Sequence, residues 1–278
     1  MVRHSFRPLR RLSKKIEVSD SLQQRSFGDL AIPVEVRPFV SAIESLLQKN
    51  HEYNEKQRRF IADAAHELRT PITALSLEIE NLQKAKDVAT REHRQSLLSN
   101  SVDRMQRLVN QLLDLARSQS SESSQTHPVV LRDLIKEQLS QLIVLADNKE
   151  ITISVTRSDS FELLNSKNQL QHLVQNAVSN AIKFSPEQGN IEIRIYREND
   201  LGVFCVLDDG PGVGPEELSR ILEPFFRSAD HATGTGAGLG LAICQEISVN
   251  LGGALSLENR PAKGFRFRYS QPIHTIAE

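Results

Sequence analysis

Apolar positions along this chain recur with a helical step in its first half and with an alternating step in parts of its second. Ile61, Ala65, Leu68, Ile72, Leu75, Ile79 and Leu82 follow one another in steps of four and three. That spacing puts all seven on one stripe of an α-helix. After the polar turn QKAKDVATRE (83–92), Leu98, Val102, Met105, Val109, Leu112 and Ala116 form a second stripe, broadened by Leu108, Leu113 and Leu115. Two helices joined by a short turn make a hairpin, and this hairpin has more apolar face than two helices can cover. The pattern predicts a dimeric four-helix bundle. Upstream, Leu9, Leu12 and Ile16, then Val36, Val40, Ile43 and Leu47, predict two short helices joined by the extended connector SDSLQQRSFGDLAIP.

At SQSSESSQTHP (118–128) the composition turns to serine and turn formers, which reads as a linker. Beyond it the spacing predicts a helix over 131–147, a strand ITISVTR, a short strand at FELL and a long helix over 168–184. Strands NIEIRIYRE and VFCVLD follow, then a short helix after Pro215 and a glycine-rich segment. A helix from about 238 to 250 and strands ALSLENR and GFRFRYS complete the pattern. The expectation is an α/β layer fold with its helices on one side of a sheet.

Composition changes this picture little. A net charge of -1 and a pI of about 6.7 argue against a nucleic-acid binder. Cys205 and Cys244 lie in separate apolar runs. They read as buried thiols of a reduced, cytosolic protein, with a single disulfide as the alternative. No apolar run has the length of a membrane span, so the chain as given reads as soluble. Arg3, Arg7, Arg10, Arg11, Lys14 and Lys15 all precede the first acidic residue, Glu17. That cluster suits either a solvated helix face or the cytoplasmic edge of a membrane segment outside this chain.

Candidate chemistry begins at FIADAAHELRTPITAL (60–75). His66 follows a seam residue by one position and therefore points about 100° away from the bundle core. An imidazole nucleophile needs one nitrogen free and the other protonated, and a carboxylate such as Glu67 can hold that tautomer. Thr70 lies one turn on, on the same face. Pro71 deprives the Glu67 carbonyl of its helical partner, typically at about 3 kcal/mol in a helix interior. That penalty beside a histidine marks a candidate hinge.

In HLVQNAVSNAIKF, residues His172, Asn176, Asn180 and Lys183 form one polar stripe on an otherwise apolar helix. Asparagine oxygens can ligate Mg²⁺, and a lysine can meet phosphate. DDGPGVG (208–214) follows a strand, so Asp208 can present a carboxylate while Gly210, Gly212 and Gly214 let the backbone approach a ligand. GTGAGLGLAI (234–243) is a glycine-rich loop opening into a helix, with free amides suited to a polyphosphate. It carries neither the Lys-Ser/Thr ending of a Walker loop nor a preceding strand, so it is a phosphate loop of a third kind.

In order and spacing these motifs resemble those of sensor histidine kinases of bacterial two-component systems. HELRTP resembles the phosphoacceptor box, NAVSNAIKF the asparagine box, DDGPG and GAGLGLAI the glycine boxes, and EPFFR (223–227) the phenylalanine box. The first residues look similar to a HAMP linker. The resemblance implies a HAMP-like linker over 1–50, a dimerisation and phosphotransfer hairpin over 51–120, and a Bergerat-type α/β sandwich that binds ATP over 121–278. His66 would take the γ-phosphoryl group with Glu67 as base, and Thr70 would orient water for dephosphorylation of the regulator. Asn176 and Asn180 would hold Mg²⁺, Lys183 would pair with phosphate, Phe184 would pack near the adenine, and Asp208 would accept its amino group. Gly210, Gly212, Gly236, Gly238, Leu239 and Gly240 would complete the ATP site, with residues 227–237 as a mobile lid. The implied partners are a second copy of the chain and a response regulator receiver domain. The implied place is the bacterial inner membrane, with these residues facing the cytoplasm. Ala237 and Leu251 depart from the family pattern, where Ser or Thr and His are common. An ATP-driven clamp that phosphorylates nothing and a dimeric relay with a broken site are the rival readings; the second would require loss of residues that are present here.

Overall fold

The computed structural model describes residues 37–119, 126–228, 236–261 and 263–273. The expected first short helix, its connector and most of the expected lid lie outside the described residues. Two compact units divide the chain, Met1–Ile61 and Ala62–Glu278.

The second short helix expected near Val36–Leu47 is instead the start of a 48-residue helix, α1 (Arg37–Lys84). Its continuation has a local cause. QKNHEYNEKQRRF (48–60) contains neither Gly nor Pro and is rich in good helix formers. The expected boundary at residue 50 therefore falls inside a continuous helix. The helix also runs unbroken through Pro71. Around it, the hydroxyls of Thr70, Thr73 and Ser76 donate to carbonyls one turn back, at 3.4, 3.0 and 3.0 Å. Helix α2 (Val88–Gln119) follows after a turn at 85–87. Asp87 caps its start by accepting from the backbone N–H and the hydroxyl of Thr90, both at 2.8 Å. Those bonds, the backbone one foremost, hold the Asp87 carboxyl below its ordinary range.

Seam residues remain open in the single chain: Ile72, Ile79 and Val102 are 51%, 47% and 48% exposed. Such a stripe wants another apolar surface against it.

The second half has the alternation its sequence predicts. Helix α3 spans Leu131–Asp147, α4 Lys167–Phe184 and α5 Gly240–Asn250. Strands β2 (Thr152–Ser158), β4 (Asn190–Glu198), β5 (Leu201–Asp208), β6 (Ala254–Asn259) and β7 (Phe265–Pro272) form a five-stranded sheet in the order β2-β4-β5-β7-β6. Only β2 and β4 run parallel, joined through β3 (Glu162–Asn165) and α4. A parallel pair needs such a crossover, and α4 is thereby laid against the sheet.

Register separates the two faces. Ile193, Val206, Phe267 and Leu257 lie in one cross-strand row, and Ile195, Phe204, Tyr269 and Leu255 in the next. These rows face the helices, where Leu170, Leu173, Val174, Ala177, Val178, Ala181, Ala242, Ile243 and Ile247 are also buried. The opposite face carries Glu192, Arg194, Glu258, Arg266 and Arg268, with ion pairs Arg194–Glu192, Arg266–Glu258 and Arg268–Glu198. Cys205 lies in that face, paired in register with Arg194 and Arg268 yet buried. Both cysteines are free thiols, and burial pushes each above its ordinary pKa.

Two details differ from the sequence pattern. His127 and Pro128, expected in the linker, open a strand β1 (His127–Val130) paired antiparallel to β3. A two-stranded ladder is all edge, so it tolerates proline. The helix expected after Pro215 is a series of turns, held by amides that reach back three or four residues irregularly. Its segment is closed by Gly214 before and Pro224 after, too short a run to repay helix nucleation.

Ile193 is completely buried in β4. Replacing it with alanine is expected to cost about 3 kcal/mol of stability, read from the urea unfolding midpoint of the full chain.

Candidate functional site

Helix α4 buries seven apolar side chains against the sheet and its neighbours, which leaves Asn176, Asn180 and Lys183 on its remaining face. Asn176 Nδ2 donates to the His172 carbonyl at 2.9 Å, which frees Oδ1 to face α5. The two helices approach closely there. A Cβ on Gly240, the first residue of α5, would lie 3.2 Å from Asn176 Oδ1 and 3.2 Å from Asn180 Nδ2. Glycine is what allows the α5 N-terminus, with its unpaired amides, to reach the asparagine stripe. Leu239 anchors it from behind, fully buried.

The glycine loop is also tied to the EPFFR segment. Phe225 N–H donates to the Gly238 carbonyl at 3.1 Å. Gly238 has φ +72°, and a Cβ there would come within 2.6 Å of the Phe226 carbonyl. Gly236 lies beside Lys183, whose Nζ would be 2.9 Å from a Cβ at that position. The Lys183 ammonium also stands 4.6 Å from the centre of the Phe184 ring. Burial, and then the nearby Arg227 charge, push the Lys183 pKa down. Two cations near each other beside the glycine loop form a place for an anion.

Asp208 ends β5 and is buried. Its Oδ1 accepts from Gly210 N–H at 2.8 Å and Phe265 N–H at 3.2 Å. Burial nevertheless raises its pKa, outweighing those bonds and the charge of Arg260. Gly210 adjoins the end of α4, with a Cβ there 3.1 Å from the Phe184 carbonyl. Asn259 clamps the loop further along, accepting from Val213 N–H at 2.8 Å and donating to the Val213 carbonyl at 2.6 Å. Gly212 makes room for that clamp, its Cβ position lying 2.6 Å from Asn259 Oδ1. Arg260 Nη1 donates to the Asp208 carbonyl at 2.9 Å and to Asp209 Oδ1 at 3.1 Å. A buried carboxylate close to the backbone of Phe184, whose side chain is 39% exposed, can receive a flat base bearing an N–H donor.

The structure thus brings together Asn176, Asn180, Lys183, Phe184, Asp208, Gly210, Gly236, Gly238 and Gly240, with Gly212 in the adjoining clamp. His66, Glu67 and Thr70 stand apart. His66 and Thr70 are exposed, Glu67 is half-buried, and the Thr70 hydroxyl bonds the His66 carbonyl. Among the described residues, no hydrogen bond or ion pair joins this trio to the other group. Helix α2 packs on α5, with Leu115 buried and Asp114 Oδ2 3.5 Å from His172 Nδ1.

Among the described residues no cluster of three His, Cys, Asp or Glu could hold a metal ion by itself. The donor set does fit Mg²⁺ shared with an anionic ligand, because Asn176 Oδ1 is aimed at the α5 N-terminus and adds no charge. Sequence reasoning did not single out Asn259, Arg260 or Phe265. Each acts on the Asp208 loop from over fifty residues or nearly so away, and no short-range spacing marks it.

Two family models match. The His Kinase A (phospho-acceptor) domain covers residues 56–121, and the histidine kinase-, DNA gyrase B-, and HSP90-like ATPase covers 165–275. Sensor protein BasS of Escherichia coli (strain K12) is 33% identical over 264 residues, 93% of this chain and 70% of that protein. The chain belongs to the sensor histidine kinases. Sensor protein QseC of the same strain is 34% identical over 266 residues, 95% of this chain. The chain spans 58% of the length of QseC. Full-length ShkA, solved in complex with AMPPNP, matches with a TM-score of 0.59 and 28% identity over 80% of this chain and 47% of its own. As in other sensor histidine kinases, a helical part precedes a mixed α/β part.

The raised pKa of Asp208 has a sign that can be tested. Its folded value lies above its unfolded one, so the ionised carboxyl works against folding at neutral pH and the penalty fades as pH falls through the folded value. Asp208→Asn, which keeps the acceptor oxygen, is expected to raise the thermal midpoint at pH 7 by a few degrees. The gain should shrink toward acid pH in a series of melting curves.

Proposed function

We propose that this chain is an ATP-dependent protein-histidine kinase that phosphorylates His66 and passes the phosphoryl group to an aspartate of a response regulator receiver domain. It also acts as a phosphatase of that regulator. The observation that carries the reading is the cradle of Asn176, Asn180, Lys183 and Gly240, present in the same chain as an exposed histidine on a long helix. Residues 51–120 carry the acceptor and 121–278 the nucleotide, with 1–50 as a HAMP-like input.

The α5 amides and Lys183, helped by Arg227, hold the triphosphate. Phe184 packs against the adenine, and ionised Asp208 accepts its amino N–H. Bound Mg²⁺, held through Asn176 and Asn180, would neutralise charge on the phosphates. The free imidazole nitrogen of His66 attacks the γ-phosphorus, the bond to the β-phosphate oxygen breaks, and ADP leaves. Glu67 receives the proton from the other nitrogen. The receiver aspartate then attacks the same phosphorus, and the P–N bond breaks as the proton returns from Glu67 to the ring. Thr70 orients water when the regulator is dephosphorylated. Because acceptor and nucleotide groups stand apart, transfer waits on their approach, and a signal can act on that step.

The open seam of α1 and α2 supports a homodimeric bundle. No helix among the described residues is long and apolar enough to cross a membrane. An anchor outside this chain in the bacterial inner membrane, with these residues facing the cytoplasm, belongs to the same proposal. The basic run from Arg3 to Lys15 supports it, since it suits an anionic lipid surface.

Incubation with γ-labelled ATP and Mg²⁺ is expected to give an acid-labile, base-stable phosphoprotein. His66→Gln should lose the label by at least about a hundredfold while keeping ATP affinity within about twofold, since the two groups are separate. Loss of both together would end the reading. Ile79→Glu, on the open seam, should shift the chain from dimer to monomer in sedimentation velocity.

A further inference from the structure

The last turn of α4 is held by a lysine that belongs to neither motif. Lys149 lies in the turn after α3, and its Nζ donates to the carbonyls of Ile182, Lys183 and Ser185 at 3.0, 2.8 and 3.1 Å. An ammonium has three N–H donors, and all three are used. The acceptors are carbonyls at or just past the C-terminus of α4, which have no partner within the helix, at the negative end of its dipole. Among the described residues no carboxylate pairs with Lys149, so the helix end is its counter-charge. The turn that carries it is fixed in return: Gln188 N–H donates to the Lys149 carbonyl at 3.0 Å, and Thr152 N–H to Gly189 at 3.0 Å. Lys149 therefore spans from the head of β2 to the end of α4 on a rigid base.

A basic residue in the last turn of a helix usually serves this purpose itself. Here that residue is Lys183, yet its ammonium is turned to the Phe184 ring and to Gly236. Lys149 takes over the helix end and leaves Lys183 free for the glycine loop. The same turn also presents the Phe184 carbonyl to Gly210, beside the Asp208 carboxylate. Three parts of the candidate site thus depend on where one helix turn stops.

We propose that Lys149 is a positioning residue for the nucleotide: it pins the end of α4 so that Lys183, Phe184 and the Asp208 loop stand at the spacing ATP requires. The inference rests on the nucleotide reading above. Lys149 acts only through those groups. Its loss weakens binding of ATP and leaves the phosphoryl transfer step intact once ATP is bound.

The test uses the full chain and measures ATP KM and kcat for His66 labelling, direct binding of a fluorescent ATP analogue, and thermal melting. Lys149→Met is expected to raise the ATP KM about tenfold, the size of one lost charge-assisted hydrogen bond, with kcat within about twofold of wild type. Lys149→Arg, which keeps the charge and several donors, should recover most of the affinity. Ile193→Ala, destabilised in the sheet core, should lower the melting midpoint without moving the ATP KM. A folded Lys149→Met protein with wild-type KM would overturn the proposal, as would an affinity loss that Ile193→Ala reproduces. Should Lys149→Met fail to fold, Lys149→Gln decides in the same terms: a raised KM with retained kcat supports the role, and a wild-type KM overturns it. Wild-type chain that binds no ATP analogue would overturn the nucleotide reading and this inference together, and is told apart from the other outcomes by that arm alone.

Discussion

The close approach of the α5 N-terminus to the amide side chains of α4 governs the rest of the α/β part. At 3.2 Å from a would-be Cβ to two asparagine amides, any other residue at Gly240 would press on the stripe and require those side chains to give way. Holding two helix backbones that near needs a firm layer beneath them. The isoleucine rows of β4 and the aromatic residues of β5 and β7 provide it, buried under α4 and α5. The polar stripe exists because the rest of α4 is spent on that contact, so the fold and the site are one arrangement seen from two sides.

Several groups in the site are held at a free-energy disadvantage. Asp208 is buried with its pKa raised, and Lys183 is half-buried beside Arg227 with its pKa lowered. Phe225 adopts φ +63°, an unfavourable value for a side chain that size, where it accompanies the glycine loop. The charge penalties at Asp208 and Lys183 are of a kind that a bound nucleotide would relieve: a carboxylate gains a donor and two cations gain phosphate. A full apolar layer under the helices supplies the stability that such a site gives up.

The hairpin has the opposite economy. Its helices are long, their seam is half-exposed, and their chemistry is on the outside. Helix α1 passes without a break from Arg37, through the segment before residue 50, to the histidine and on to Lys84. Hydroxyls at Thr70, Thr73 and Ser76 bond the backbone on either side of Pro71, where one helical hydrogen bond cannot form.

Periodicity alone determined the hairpin, the main strands, the burial of both thiols and the stripe of Asn176, Asn180 and Lys183, because each depends on spacing within one element. The family resemblance implied that Asp208 and the glycines share a site with that stripe, and the structure brings Asp208, Gly210, Gly236 and Gly240 near it. Other features were settled only by tertiary contact. The segment after Leu47 carries no stop signal, so whether a helix ends there is not a local question, and the chain runs on. Pro128 reads as a linker residue until β3 offers its free edge. Asn259 and Arg260 read as the polar end of a strand and Lys149 as an ordinary turn residue, yet each satisfies backbone groups brought to it from a distant part of the chain. A donor's importance lies in which unpaired acceptor comes to rest beside it, and that is decided by packing, which no run of neighbouring residues encodes.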